Sequence, residues 1–320
     1  MHAYLEFERP IAEVEGKIVE LKKLAEEDPA MQIESEVVRL QTRADTLIRD
    51  TYAKLTPWQK VQVARHPGRP HFTDYVKGLF DEFTPLAGDR SFGDDNAIIS
   101  GLARFRGRAV AVMGHEKGND TKTRLKHNFG MAMPEGYRKS ERIFEMADRF
   151  GLPVISLVDT SGAYNGVAAE ERGQSEAIAR STQAGLNIRV PFVTVVIGEG
   201  GSGGALAIAT ANRVYMLEHS VYSVISPEGC SSILWRKQDK AQEAAIAMKV
   251  SAQDCLNLKV IDAIIPEPIG GAHRAPEEAI LNVGEQIARA LVEMDRIPGD
   301  QLRKERREKY LAIGRDLLAS

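Results

Sequence analysis

The sequence predicts an α/β fold, a stacked ββα spiral with an α-helical extension at its N-terminus. Three observations carry this. Apolar residues in the first 65 positions recur at helical spacing, whereas beyond the segment His66-Pro67-Gly68-Arg69-Pro70 strand-length apolar runs alternate with helical patterns. Those runs come as close pairs followed by a helix, which fits a spiral better than a plain doubly wound sheet. At 320 residues the chain also has room for one large domain and an appendage. The expected division is a helical extension over 1–70, the α/β domain over 71–296 and a helical tail over 297–320.

In the extension, Ile11, Val14, Ile18, Leu21 and Ala25 are spaced 3-4-3-4, as are Val37, Leu40, Ala44, Leu47 and Thr51. Glu27-Asp28-Pro29 separates the two runs, so they read as a helical hairpin packed on its own domain or on a partner. Thr56-Pro57 supplies an N-cap and a proline at the first helical position of a third helix. In the main domain, residues 97–105 and 109–113 flank the turn Arg106-Gly107 and read as a β-hairpin. A helix over 136–150 stops at Gly151, and strand 154–158 follows. One continuous helix is expected over 168–184, then strand 192–197 and a short helix from Ser202. Strands 214–217 and 221–225 precede helices over 228–235 and 239–257. Strand 260–265 and a long helix over 276–295 close the domain. The charged stretch 302–310 reads as a solvated helix.

Composition removes several functions. The chain has 42 basic and 45 acidic residues, a net charge of −3, which argues against a dedicated nucleic-acid binder. Its two cysteines, Cys230 and Cys255, offer neither a zinc ribbon nor a disulfide framework, so they are expected to be reduced, packed thiols of a cytoplasmic protein. The longest apolar run, 191–197, falls far short of the roughly 20 residues that span a bilayer. The first ten residues carry acids where an export signal needs bases, so no membrane association is expected.

The most informative segment is Gly198-Glu-Gly-Gly-Ser-Gly-Gly204, which leaves an apolar strand and opens a helix. It fits several templates. Gly198, Gly200 and Gly203, with Glu218 further on, match a dinucleotide fingerprint, although the intervening helix is short. Gly200, Ser202 and Gly204 match a nucleophile elbow, with Asp262 and His273 following in hydrolase order. A Walker loop is excluded, because Gly204 and Ala205 stand where lysine and Ser/Thr are required. The adjacent amides of Gly203 and Gly204, at the positive end of a helix dipole, also suit an oxyanion hole. A purely structural glycine turn is the remaining alternative. A second strand-to-helix turn, Asp159-Thr-Ser-Gly-Ala-Tyr-Asn-Gly166, is placed to line the same cleft. Glu170, Glu171 and Arg172 after it read as a solvated first helical turn.

Long strings then carry a resemblance. Asp159–Tyr164, Ala169–Ala179, Val196–Leu206, Tyr222–Gly229, Asn128–Met131, Pro134–Lys139 and Ile265–Arg274 closely resemble the carboxyltransferase α-subunit family of bacterial acetyl-CoA carboxylases. The likeness runs from about Leu5 to the helix near 295. It implies a crotonase-like (ClpP/crotonase) superhelix and transfer of a carboxyl group from carboxybiotin to acetyl-CoA, giving malonyl-CoA for fatty acid synthesis. No cofactor would be bound covalently. The carboxybiotin would arrive on a separate biotin carboxyl carrier protein, charged by biotin carboxylase. The partner implied is a zinc-ribbon β subunit in an α2β2 assembly, with the active site shared between the halves and no metal in this one. The resemblance makes Gly203 and Gly204 the oxyanion hole facing biotin. It places Gly162, Ala163, Tyr164, Gly200, Gly201 and Ser202 in the loops of the cleft.

The basic residues Lys117, Lys122, Arg124, Lys126, Arg138 and Lys139 are read as contacts for CoA phosphates or the carrier, with a solvated loop equally open. The chain departs from the family pattern at Ser161 and Asn165, where the usual string has proline; Ser161 reads as permissive, because Gly162 can carry the turn, whereas Asn165-Gly166 is a turn-favouring but looser pair, so a looser loop is expected. His115, His219 and His273 are expected to be structural. Rival readings are another crotonase-like acyl-CoA enzyme or decarboxylase subunit, and an NAD-binding dehydrogenase.

Overall fold

The computed structural model describes residues 3–28, 31–237 and 239–315. Helices α1 (Arg9–Glu27) and α2 (Glu34–Tyr52) form the hairpin expected from their apolar stripes. Val14, Ile18, Leu40 and Ala44 are buried between them. Helix α3 (Pro57–Ala64) is capped as the sequence indicates, with the Thr56 hydroxyl accepting from the Gln59 amide and the Gln59 side chain accepting from the Thr56 amide.

After α4 (Phe72–Leu79) come β1 (Phe80–Pro85), β2 (Ile98–Phe105) and β3 (Arg108–His115), which pair antiparallel. The chain continues through α5 (Thr121–Lys126) and α6 (Pro134–Phe150) to β4 (Val154–Thr160). Helices α7 (Val167–Glu170) and α8 (Gln174–Asn187) lead to β5 (Phe192–Gly201), and α9 (Ser202–Leu206) leads to β6 (Arg213–Leu217) and β7 (Val221–Ser223). Helices α10 (Pro227–Trp235), α11 (Ala241–Ala247) and α12 (Ala252–Asn257) precede β8 (Ala263–Ile265), α13 (Pro276–Met294) and α14 (Gly299–Ala312).

The sheet order is β1-β2-β3-β4-β5-β6-β8, and the strands from β3 through β8 on this path pair parallel. Strand β5 is long enough to serve twice. Its first half pairs with β6, whereas Glu199, Gly200 and Gly201 pair with Val221, Tyr222 and Ser223 of β7. Both β4 and β5 are buried along their whole length, which is why they read as continuous apolar runs rather than alternating ones. One sheet face packs on Ile143, Phe144 and Ala177 of α6 and α8; the other packs on Phe72, Val283 and Ile287 of α4 and α13. Among the described residues no helix is long and apolar enough to cross a membrane.

Four expectations from the sequence are corrected. The helix expected over 168–184 is broken at Gly173, whose φ of +78° is left-handed and ends α7 before α8 begins. The helix expected over 239–257 is likewise two helices. Lys249 takes φ +56°, and Ser251 caps α12 by accepting from the Asp254 amide. Helix α4 and strand β1 were not foreseen. Helix α14 is not a solvated tail: Leu302 is buried and Arg306 is wholly enclosed. The Arg306 guanidinium donates to the carbonyls of Gly185 (3.0 Å), Ile188 (2.6 Å) and Val190 (2.9 Å) and to Asn212 Oδ1. Cys230 and Cys255 are free thiols, and burial pushes the Cys255 thiol up to about 12.

Candidate functional site

Strands β4 and β5 run side by side and deliver both glycine turns to the same sheet end, where parallel α/β folds place their ligands. The turns touch through backbone. A Cβ on Gly201 would lie 2.2 Å from the carbonyl of Ser161, and one on Gly204 would lie 2.5 Å from the amide nitrogen of Ala163. Glycine at these two positions is therefore what allows the approach. Ser202 sits between them at φ +54°, a left-handed strain worth about 1–2 kcal/mol, and swings the chain from β5 into α9. The amides of Gly203 and Gly204 lie in the first turn of α9 and have no intrahelical acceptor. Because α9 has five residues, its dipole adds little; the amides themselves are the donors.

The first turn is firmer than Asn165-Gly166 alone suggests. Thr160 Oγ1 donates to the Gly162 carbonyl (2.8 Å) and accepts from the Gly162 amide (3.0 Å). Buried Gln174 donates to the carbonyls of Tyr164 (2.7 Å) and Ala132 (2.9 Å), and the Tyr164 amide donates to the same Ala132 carbonyl. Gly162 itself has φ +142°. These bonds supply the restraint that proline would give.

Directly behind both turns lies a buried ion cluster that sequence reasoning missed. Lys117 Nζ donates to Asp159 Oδ1 (2.9 Å) and Glu199 Oε2 (2.6 Å). Glu199 Oε1 accepts from Arg65 Nε (2.6 Å), and Arg65 also pairs with Glu228 at the start of α10. The Glu199 amide donates to Asp159 Oδ1 (3.0 Å), and His71 Nδ1 lies 3.3 Å from Asp159 Oδ2. Burial alone would raise the Asp159 and Glu199 carboxyls; Lys117, with His71 at Asp159 and Arg65 at Glu199, overcomes it and holds both below their usual range. Burial opposes the charge on Lys117, and its two carboxylate partners restore it.

In front of the turn, Ser202, Gly203 and Leu206 border an apolar groove of about 550 Å³. Tyr222, Val224 and Ile225 line its other side, and the size suits a small ligand. The competing templates lose their parts here. A Cβ on Gly198 would meet Asp159 Oδ1 at 2.4 Å and one on Gly200 the Tyr222 ring at 2.7 Å, so these two glycines serve packing rather than an open phosphate loop. Asp262 accepts from Lys309 and from the Val214 amide, and His273 stacks on His66 with ring centroids 4.0 Å apart. Neither is bonded to Ser202.

The six basic residues do not act as one patch. Lys122, Arg124 and Lys126 lie on α5, with Lys122 and Lys126 exposed. Lys117 is occupied in the ion cluster, Arg138 pairs with buried Asp89 (3.1 Å), and Lys139 pairs with Asp94 (2.6 Å). Arg172, expected in solvent, pairs with Glu135 (2.6 Å) and covers the Phe92 ring. His115 is wholly buried, and burial lowers its imidazole to about 3.

Solved structures of similar architecture bear on the fold. Transcarboxylase 12S aligns at a TM-score of 0.59 and 18% identity, covering 73% of this chain and 44% of that one. The Pseudomonas malonate decarboxylase hetero-tetramer aligns at 0.57 and 17% identity, covering 71% and 89%. The fold is that of the crotonase-like carboxyltransferases. The model of the acetyl co-enzyme A carboxylase carboxyltransferase-like family matches residues 4–314, and the chain belongs to that family. The acetyl-coenzyme A carboxylase carboxyl transferase subunit alpha of Agrobacterium fabrum (strain C58 / ATCC 33970) is 65% identical over 317 residues, 99% of this chain and 100% of the relative. That of Rhizobium leguminosarum bv. trifolii (strain WSM2304) is 66% identical with the same coverage. The activity is biotin-dependent carboxyl transfer in malonyl-CoA formation.

Proposed function

We propose that this chain is the biotin-facing half of a shared active site, and that the amides of Gly203 and Gly204 form its oxyanion hole. The observation that carries this is the backbone contact of Gly201 with Ser161 and of Gly204 with Ala163. It brings two glycine turns together beside an apolar groove. The reaction leaves negative charge on an oxygen when the carboxyl group departs, and fixed amide donors in a low-dielectric cleft stabilise such charge without a side-chain acid or base. The residues present fit a biotin ring: the groove wall of Tyr222, Val224 and Ile225 is apolar, and the adjacent turn presents backbone.

In this reading Gly162, Ala163, Tyr164, Gly200, Gly201 and Ser202 shape the cleft. The exposed α5 cations Lys122 and Lys126, with Arg124, meet the coenzyme phosphates or the carrier. The missing half comes from a zinc-ribbon β subunit in an α2β2 assembly. Biotin carboxyl carrier protein and biotin carboxylase are the upstream partners, all in the cytoplasm. The organisation we assign is a helical extension over 1–70, the carboxyltransferase domain over 71–296 and a C-terminal helical segment over 297–320.

The test is malonyl-CoA-dependent carboxylation of free biotin by the purified chain, with and without a β subunit. Turnover is expected only with the β subunit present. Turnover by this chain alone would overturn the half-site reading.

A further inference from the structure

Lys117 stands out because it joins the carboxylates at the start of both glycine turns, Asp159 and Glu199. Asp159 lies two residues before Ser161, and Glu199 lies two before Gly201. The backbone contact between the turns, Ser161 with Gly201, is therefore framed by the two carboxylates that Lys117 joins. The link is doubled by the Glu199 amide on Asp159 Oδ1. Lys117 is itself held in place. Its loop is fixed by Glu116, which accepts from the amides of Gly118 (2.8 Å) and Thr73 (2.9 Å), and its stem packs where a Cβ on Gly130 would lie 3.5 Å from Lys117 Cγ.

The register between β4 and β5 shifts where this clamp sits. Ordinary pairing ends at Val158 with Val196, and the next paired residues are Thr160 and Gly200, so the ladder slips as the strands approach the site. Within this slip the regular pairing is interrupted, and the ion cluster bridges the two strands there. A lysine suits the task because a single nitrogen with three donors can face two carboxylates at 2.9 and 2.6 Å. A guanidinium is a planar fork and engages carboxylates in its own plane.

We propose that Lys117 is a positioning residue for carboxyl transfer, setting the approach of the two glycine turns through Asp159 and Glu199. The inference rests on the oxyanion-hole reading above. Its signature is a loss in kcat with KM for malonyl-CoA unchanged, because the coenzyme is not what these turns bind.

The experiment uses the chain assembled with its β subunit, with kcat expressed per assembled complex so that unfolded protein does not count. Lys117→Arg keeps the charge, and thereby the fold, but spreads its donors over a planar fork in place of the single nitrogen that reaches both carboxylates, so their spacing must change. A misplacement of about 1 Å costs on the order of 100-fold, so kcat is expected to fall about 10- to 100-fold. KM for malonyl-CoA should stay within about twofold. Lys117→Met with Glu199→Gln removes one charge of each sign and should show the same split. If the double variant fails to assemble, Lys117→Arg decides alone. Retention of kcat per complex within about twofold by an assembled variant, or a rise in KM that accounts for the loss, overturns the proposal. Gly203→Val, run alongside, separates the two ideas. If it abolishes turnover while the Lys117 variants do not, only the clamp is wrong. If it leaves turnover intact, the oxyanion-hole reading itself has failed.

Discussion

Lys117 and Arg306 are both cations largely withdrawn from water, and they are satisfied in opposite ways. Lys117 faces two carboxylates on neighbouring strands, so its charge is balanced where it sits. Arg306 has only neutral acceptors, the carbonyls of Gly185, Ile188 and Val190 and the side-chain oxygen of Asn212. Three of these lie at or just beyond the C-terminal end of α8, where partial negative charge collects and a cation is welcome. Even so, burial lowers the Arg306 guanidinium to about 10, whereas the carboxylates around Lys117 raise its ammonium. The contrast separates two uses of a buried charge. One joins two strands at the point where their ladder slips; the other ties the C-terminal helix to the core. The first should be read out in turnover and the second in stability.

The largest expected effect that sharpens this contrast is on the stability side. Arg306→Met strips the donor from the three buried carbonyls, while Asn212 Oδ1 keeps the Phe192 amide; at about 1–3 kcal/mol for each one left unpaired, a loss of at least ~3 kcal/mol is expected. At roughly 1.5 °C per kcal/mol for 320 residues, thermal unfolding should shift down by about 4 °C or more. The kcat per assembled complex should be unchanged. A variant that keeps its melting temperature but loses turnover would erase the distinction between the two cations.

A smaller effect concerns the region beneath the α1–α2 hairpin, where neither cation reaches. His66 and His273 stack there, His66 Nε2 is 2.6 Å from the Ala3 carbonyl oxygen, and Tyr52 donates to Glu8 (2.9 Å) beside His273. Burial lowers both imidazoles, His273 to about 2, with Arg69 and Arg274 adding repulsion and Glu8 and Glu267 opposing it. The unfolded chain, with histidines near 6.5, therefore binds more protons than the folded one below that pH. The stabilisation is complete above about pH 6.5 and declines as the pH falls, by at most about 1.4 kcal/mol per pH unit for each histidine. Melting temperature measured from pH 7.5 down to 5.5 should drop, and His273→Gln should flatten the slope. An unchanged slope would show that the histidines do not control this face.

What the sequence made legible follows the range of the interactions involved. Both glycine turns were visible because tight turns require glycine locally, and the helical hairpin because its stripes are periodic. The Lys117 cluster was not visible: its partners lie 42 and 82 residues away, and Arg65 meets Glu199 across 134. No local pattern marks which lysine of a basic stretch will be enclosed, and Lys117 was grouped with the exposed cations of α5. Helix α14 misled for a related reason. One enclosed arginine among many exposed charges leaves the segment looking solvated. Both helix breaks had local signs, Gly173 and the capping box Ser251-Ala-Gln-Asp254, masked by the helical spacing of the residues on either side.

The most direct measurement of the central claim is kcat for Gly203→Val in the reconstituted enzyme. Gly203 is partly exposed, its φ lies outside the left-handed region, and a Cβ there meets only the Ile178 side chain, at 3.3 Å from Cγ2 and 3.9 Å from Cδ1, which is able to move aside. The substitution therefore places a branched side chain beside the amide pair, at the groove, without separating the turns. If backbone amides carry the transfer, kcat should fall on the order of 100-fold or more, with KM for malonyl-CoA and assembly with the β subunit intact. A variant that assembles normally and turns over within about threefold of the parent, less than the loss of a single oxyanion donor, would contradict the account.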